Sequence, residues 1–287
     1  MKSIVVISIF IISIILSCQQ KQNNEDNTQS PPTTDEKTEQ QVAPRKTFAY
    51  EKVNGKEWLA IHGSDSNHLQ IALAMNRVDK VRFAKMDSVI VPVDLTGDLK
   101  LYSPFPLNVP YLKEVKKIIY FSYPTQFFAT YENGVLSYTG PTNMGRKKDL
   151  TPTGLFNTNW KAEETVSTFN DEWDLRWNFN IANKAGIGWH QYSLPGYPVS
   201  HSCLRLLEAD AEHLYNWADE WVLEKDIVKM KGTPVIVFGE FDFDAPKPWL
   251  QLISNPHALE ISETEIQAQT SQFLDSILEE QKKRETI

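Results

Sequence analysis

The chain has 287 residues, two of them cysteine, and carries a formal net charge of −8 with a pI near 5.3. Eight Trp, ten Tyr and fourteen Phe are ample for one substantial core and a smaller one. No basic stripe stands out, and Arg146-Lys147-Lys148, the densest basic run, reads as a solvated turn, so nucleic-acid binding is disfavoured.

The first predicted element is a leader over residues 1–17. Met1-Lys2-Ser3 precedes an apolar run from Ile4 to Leu16. That run is interrupted by Ser8 and Ser13 and falls short of the roughly 20 apolar residues a spanning helix needs. A charged start, a short apolar stretch and a small residue before the break describe a secretory signal peptide. Ile15-Leu16-Ser17-Cys18 resembles a bacterial lipobox, which makes Cys18 the lipidated first residue of the mature protein. An ordinary signal peptide with an incidental cysteine is the other reading. Residues 19–46 are almost wholly polar, with Val42 and Ala43 the apolar exceptions apart from prolines, and cannot bury enough surface to order themselves. As a coil, this tether would typically span about 30 Å.

Residues 47–113 read as a small separate module. Leu69 to Asn76 is helix-like and Asp87 to Pro92 strand-like, while no clear first strand is visible. The order is faintly similar to a LysM module, which binds glycan; a subdomain that only packs is the alternative. From residue 114 to 240 the pattern turns to β. Ile118–Phe121, Phe127–Tyr131 and Val135–Tyr138 are short aromatic and β-branched runs, the last two joined by the hairpin signal Asn133-Gly134. A helix is predicted after residue 206, with Leu207, Ala211, Leu214, Ala218 and Trp221 on one face and Glu208 and Asp210 in its first turn. Val235 to Phe238 is the last buried strand. The extension 241–287 carries an amphipathic helix with Ile266, Phe273, Ile277 and Leu278 in one stripe, announced by Ser262-Glu263-Thr264-Glu265.

One constellation carries chemistry. Cys203 sits in Ser200-His201-Ser202-Cys203-Leu204-Arg205-Leu206, with His190 shortly upstream. A lone thiol beside two histidines and an arginine is a nucleophile candidate, because imidazole and guanidinium ease formation of the thiolate. With Cys18 acylated, Cys203 is an unpaired thiol in an oxidising compartment, a liability unless it works. Zinc ligation lacks the C-x-x-C or H-E-x-x-H spacing, and no phosphate loop or dinucleotide fingerprint is present, so neither metal nor cofactor is expected.

Gly196-Tyr197-Pro198-Val199-Ser200-His201-Ser202-Cys203-Leu204-Arg205-Leu206 resembles the signature of the L,D-transpeptidase (YkuD-type) catalytic domain family. Leu150-Thr151-Pro152-Thr153-Gly154-Leu155-Phe156 is similar to the family's T-P-x-G-x-F turn, and Lys231-Gly232-Thr233-Pro234-Val235-Ile236-Val237 to its closing strand. Ser202 stands where the family has glycine, and Gln191 where a glycine follows the upstream histidine. The resemblance implies a mainly β, α+β fold: a β-sandwich catalytic domain, flanked here by the N-terminal module and a helical tail. It implies Cys203 as nucleophile, His190 as base and His201 as an assisting histidine, the two histidine roles being open to exchange. The backbone N–H groups of Ser202 and Cys203 are the expected oxyanion donors. Arg205 would bind a substrate carboxylate, or pair with Glu208 or Asp210; Ser200 and Tyr192 would line the cleft. Trp160, Trp173 and Trp177 either face the substrate or pack.

The implied activity is acylation by a peptidoglycan stem tetrapeptide with release of D-alanine, then 3→3 cross-linking or attachment to a protein acceptor. L,D-carboxypeptidase activity with water as acceptor, or a non-catalytic cell-wall-binding lipoprotein, are the alternatives. The expected location is the bacterial cell envelope, on a lipid anchor facing the periplasm.

Overall fold

The computed structural model describes residues 47–166 and 174–286. The predicted signal peptide, Cys18, the tether and Trp173 lie outside the described residues.

The N-terminal module is a β-α-α-α-β unit. Strand β1 (Tyr50–Val53) is followed by α1 (Gly55–His62), α2 (Ser66–Asn76) and α3 (Lys80–Phe83), and β2 (Val89–Pro92) returns antiparallel to β1. Asn54, Asp65 and Asp79 cap the three helices with their side-chain oxygens, the usual service of short polar residues at helix starts. The first strand was hidden from sequence because two of its four residues, Glu51 and Lys52, are charged; both point outward.

Two sheets then form a sandwich. Strands β3 (Ile118–Ser122), β4 (Phe127–Glu132) and β5 (Val135–Pro141) are an antiparallel meander, and β6 (Gly154–Asn157) completes one edge of this sheet. Asn133 and Gly134 both have positive φ, 50° and 80°, as the hairpin between β4 and β5 demands. Strands β7 (Lys161–Val166), β8 (Asp174–Ala182), β9 (Ile187–Gln191) and β10 (Leu204–Leu206) build the second sheet, in the order β10-β9-β8-β7. Helix α4 (Glu208–Trp217) follows, then the hairpin of β11 (Val222–Glu224) and β12 (Ile227–Met230). Strand β13 (Pro234–Phe238) inserts between β3 and β6, parallel to β3.

The five-stranded sheet is buried on both faces, which explains why all five residues of β3 are buried. One face, with Ile119, Phe121, Val235 and Val237, packs on Phe179, Trp189, Leu204 and Leu206 of the second sheet. The other, with Ile118, Tyr120, Ala129 and Phe238, packs on the N-terminal module and the C-terminal extension. At that junction Arg77 ends α2 with φ 55° and is 1% exposed. Its guanidinium lies between the rings of Phe127 and Trp249, 4.6 and 4.7 Å from their centroids, and Nε donates to the Thr125 carbonyl at 2.9 Å.

Two elements differ from expectation. The predicted tail helix is two helices, α5 (Glu263–Ser271) and α6 (Leu274–Glu285). Before the break, Thr270 Oγ1 donates to the Ile266 carbonyl at 2.6 Å and meets the Tyr120 hydroxyl at 2.6 Å, a back-bonding pattern that bends helices. Trp221 lies beyond the end of α4, because Ala218 leaves the helix with ψ 145°.

Candidate active site

The second sheet turns one face to the sandwich core and the other to a cleft. Side chains alternate along a strand, so Trp189, Leu204 and Leu206 go inward while His190, Cys203 and Arg205 take the cleft side. Strand β10 runs parallel to β9 in a register that places Arg205 opposite His190. The cleft is thereby lined by His190, Tyr192, Ser200, His201, Cys203 and Arg205, residues brought together from two strands and the loop that joins them.

The His190 ring is 5% exposed. Its Nδ1 lies 2.9 Å from the Gln191 carbonyl, which can only accept. The neutral ring therefore carries its proton on Nδ1 and leaves Nε2 as the basic atom. Burial pulls its pKa from 6.5 down to about 4, with the neighbouring Arg205 charge acting in the same direction. His201 is exposed, on the turn before Cys203, and its pKa is also lowered, by partial burial and by Arg146.

The Cys203 thiol donates to the Gly186 carbonyl at 3.9 Å. Burial pushes its pKa up, opposed by the Gly188 backbone and the Arg205 charge. Both shifts favour the neutral forms of thiol and imidazole in the free protein. The Ser202 and Cys203 N–H groups donate to no backbone carbonyl among the described turns and loops.

Ser202 has φ 79°, a left-handed conformation that favours glycine, the residue expected here from the motif it resembles. Thr151 holds the strained residue: its Oγ1 donates to the Ser202 carbonyl at 2.8 Å and accepts from Gly145 N at 2.9 Å. Sequence reading placed Thr151 in a turn motif and gave it no task.

Arg205 is fixed through its backbone, exchanging hydrogen bonds of 2.9 Å with Asn143, and its guanidinium stacks 4.4 Å over the Tyr192 ring. Glu208 is taken by Arg176 at 3.0 Å, and Asp210 accepts from the Tyr138 hydroxyl at 2.8 Å. Neither is the partner of Arg205, whose charge meets no carboxylate among the described residues. Trp160 lines the cleft, whereas Trp177 packs partly on the core.

Residues 116–237 match the family model of YkuD, the L,D-transpeptidase catalytic domain. This segment of the chain is similar to that family, and its architecture is mixed α+β, built mostly of sheets. Among solved structures, the chain is similar to an L,D-transpeptidase from Stackebrandtia nassauensis, at 23% identity over 44% of this chain and 56% of that one, with a TM-score of 0.36. One from Mycobacterium smegmatis gives 20% identity, coverage of 43% and 59%, and a TM-score of 0.35. One from Mycobacterium tuberculosis H37Rv gives 22%, 43% and 58%, and 0.35. The chain thus spans 56–59% of the length of these structures. None of the curated proteins matches the chain.

Proposed function

We propose that the protein is a cysteine-dependent peptidoglycan L,D-transpeptidase, held in the bacterial cell envelope by a lipid on Cys18. The observation that carries this reading is the placement of Cys203, His190 and Arg205 in one cleft, inside a segment that matches the L,D-transpeptidase catalytic domain model.

In this reading a turn about the Cα–Cβ bond carries the thiol from the Gly186 carbonyl toward His190, whose Nε2 takes its proton. Sulfur attacks the carbonyl carbon of the diamino-acid residue in the stem tetrapeptide. The developing oxyanion is received by the N–H groups of Ser202 and Cys203. The C–N bond to the terminal D-alanine breaks, and the imidazolium returns its proton to the departing amine. A thioester remains on Cys203. An amine from a neighbouring stem then attacks it, forming the new amide and releasing the thiol. Environments that favour a neutral thiol and a neutral imidazole suit this sequence, since the proton then moves when substrate is in place. Arg205, stacked on Tyr192 and without a carboxylate of its own, would hold a substrate carboxylate by its planar fork.

The test is mass spectrometry of the full-length protein, in detergent, with a disaccharide-tetrapeptide, beside a Cys203→Ala control. Loss of D-alanine that depends on Cys203 is expected. Cross-linked dimers identify the transpeptidase, and tripeptide monomers would assign water as the acceptor. No Cys203-dependent change would return the protein to a wall-binding role. Cys18→Ser should release the protein from membranes, and continued fractionation with them would place the anchor elsewhere.

A further inference from the structure

Strand β8 carries an irregularity that the fold alone does not explain. Its pairing with β9 runs from Arg176↔Gln191 directly to Phe179↔Trp189. Two residues of β8, Trp177 and Asn178, therefore stand opposite a single residue of β9, and that residue is His190. Against its other neighbour, β7, the register continues without a shift through Glu164↔Arg176 and Ala162↔Asn178. The bulge is thus made toward the site histidine and nowhere else along this stretch.

It is costly. Trp177 has φ 54°, a left-handed conformation that strains a large L-residue. Its indole Nε1 is buried without a hydrogen-bond partner among the described residues, so the strain does not serve that group. Asn178 is 6% exposed, and its Nδ2 is likewise buried with no partner. An unpaired buried amide is destabilising in its own right, because its lost hydration is not replaced. By contrast Asn180, two residues on and also in the cleft wall, has its Oδ1 satisfied by Asn159 Nδ2 at 2.9 Å.

Alternation explains where the amide goes. Phe179 and Ile181 face the sandwich core, so Asn178 takes the opposite face and lines the cleft beside His190, Cys203 and Arg205. Bulges next to active sites serve to re-aim a side chain. An asparagine can present either a donor or an acceptor by turning about Cβ–Cγ. A leucine of nearly the same shape would fill the same space without an unpaired polar group.

We infer that Asn178 is a substrate-binding residue of the cleft, its carboxamide hydrogen-bonding a backbone amide of the stem peptide and so setting the scissile carbonyl against Cys203. The inference rests on the proposed substrate class and adds to it the residue that orients the donor chain. The strained Trp177 positions Asn178, and bound peptide supplies the partner that the free protein lacks.

The experiment is a titration of disaccharide-tetrapeptide into the full-length Cys203→Ala protein, in which no turnover occurs, and into the Cys203→Ala/Asn178→Leu protein. Asn178→Leu should weaken binding by about tenfold, the loss of one hydrogen bond worth roughly 1.4 kcal/mol. The single Asn178→Leu protein should melt at or above the temperature of the parent, and its Cys203 should react with iodoacetamide at a rate within twofold of the parent. Equal affinity in the two proteins would overturn the assignment. So would a lower melting temperature with slowed alkylation, which would make Asn178 a packing residue. No binding by the Cys203→Ala protein itself would remove the substrate class, a result distinct from equal binding.

Discussion

The hydroxyl of Thr151 donates to the carbonyl of Ser202 at 2.8 Å, tying the turn before β6 to the peptide unit that presents the Cys203 N–H. The bond fixes the orientation of a group that would have to point at a transient charge. Such donors act through preorganisation, so a small loosening costs rate more than binding. Thr151→Val should lower kcat for D-alanine release by about tenfold with KM near the parent value, and Thr151→Ser should restore it. A fall in KM-dependent terms alone would place the substrate, rather than the oxyanion, on this bond.

Ser202→Gly removes a side chain from a residue at φ 79°. The relief should stabilise the protein by about 1 kcal/mol, raising Tm by roughly 2–4 °C in a chain of this size. The modest bond from Ser202 Oγ to the Asp149 carbonyl, at 3.3 Å, is lost at the same time and offsets part of the gain. A melting curve shifted downward would show that this bond outweighs the backbone strain.

His190→Ala should reduce kcat/KM by about 10²-fold or more, and His201→Ala much less. A larger loss from His201→Ala would exchange the two roles. The pH profile separates them further. Burial holds the His190 pKa at about 4, so its free-base form persists well below the ordinary value of 6.5. The acid limb of kcat/KM should therefore fall near pH 4, and a limb near 6.5 would indicate an ordinary, solvated imidazole as the base.

Asp210 gives a stability signature away from the cleft. Its carboxyl is buried at 2% exposure and burial raises its pKa from 3.8 to about 7. Between about pH 4 and 7 the folded form keeps a proton that the unfolded chain releases. Stability from this group is thus fullest below pH 4 and is lost as pH rises through 7. The Tm of Asp210→Asn relative to the parent should rise steadily from about pH 4 to 7 and be most favourable at pH 8. A constant difference between the two proteins would mean that Asp210 ionises normally.

The strands of the sandwich were legible for a simple reason. Ile118–Phe121 and Phe127–Tyr131 carry their fold in composition, and Asn133-Gly134 carries the turn in its required φ values. The joining of His190 with Cys203 came from motif resemblance, and the structure supplies its physical basis, a parallel pairing with Arg205 opposite His190. What stayed hidden depends on contacts distant in sequence. Asp210 lies in the first turn of α4, where acidic residues favour helix N-termini, but its burial against Tyr138, on β5, could not be read from that position. Strand β1 was masked by its outward charges, and the break between α5 and α6 depends on Thr270 meeting Tyr120 on β3. The bulge at Trp177 has no sequence signature at all, since its cause lies in what faces it across the sheet.

The cation held between Phe127 and Trp249 has a consequence for how the molecule can be divided. Arg77 comes from the first module, Phe127 from the central sheet and Trp249 from the extension, so one guanidinium is shared by all three. A fragment cut to residues 114–240 would keep Cys203, His190 and Arg205 and lose both neighbours of that sheet. Ile118, Tyr120, Ala129 and Phe238 would face water, forming a broad apolar surface of the kind that drives self-association. Transplanting residues 114–240 into another protein would therefore have to carry both flanks with it.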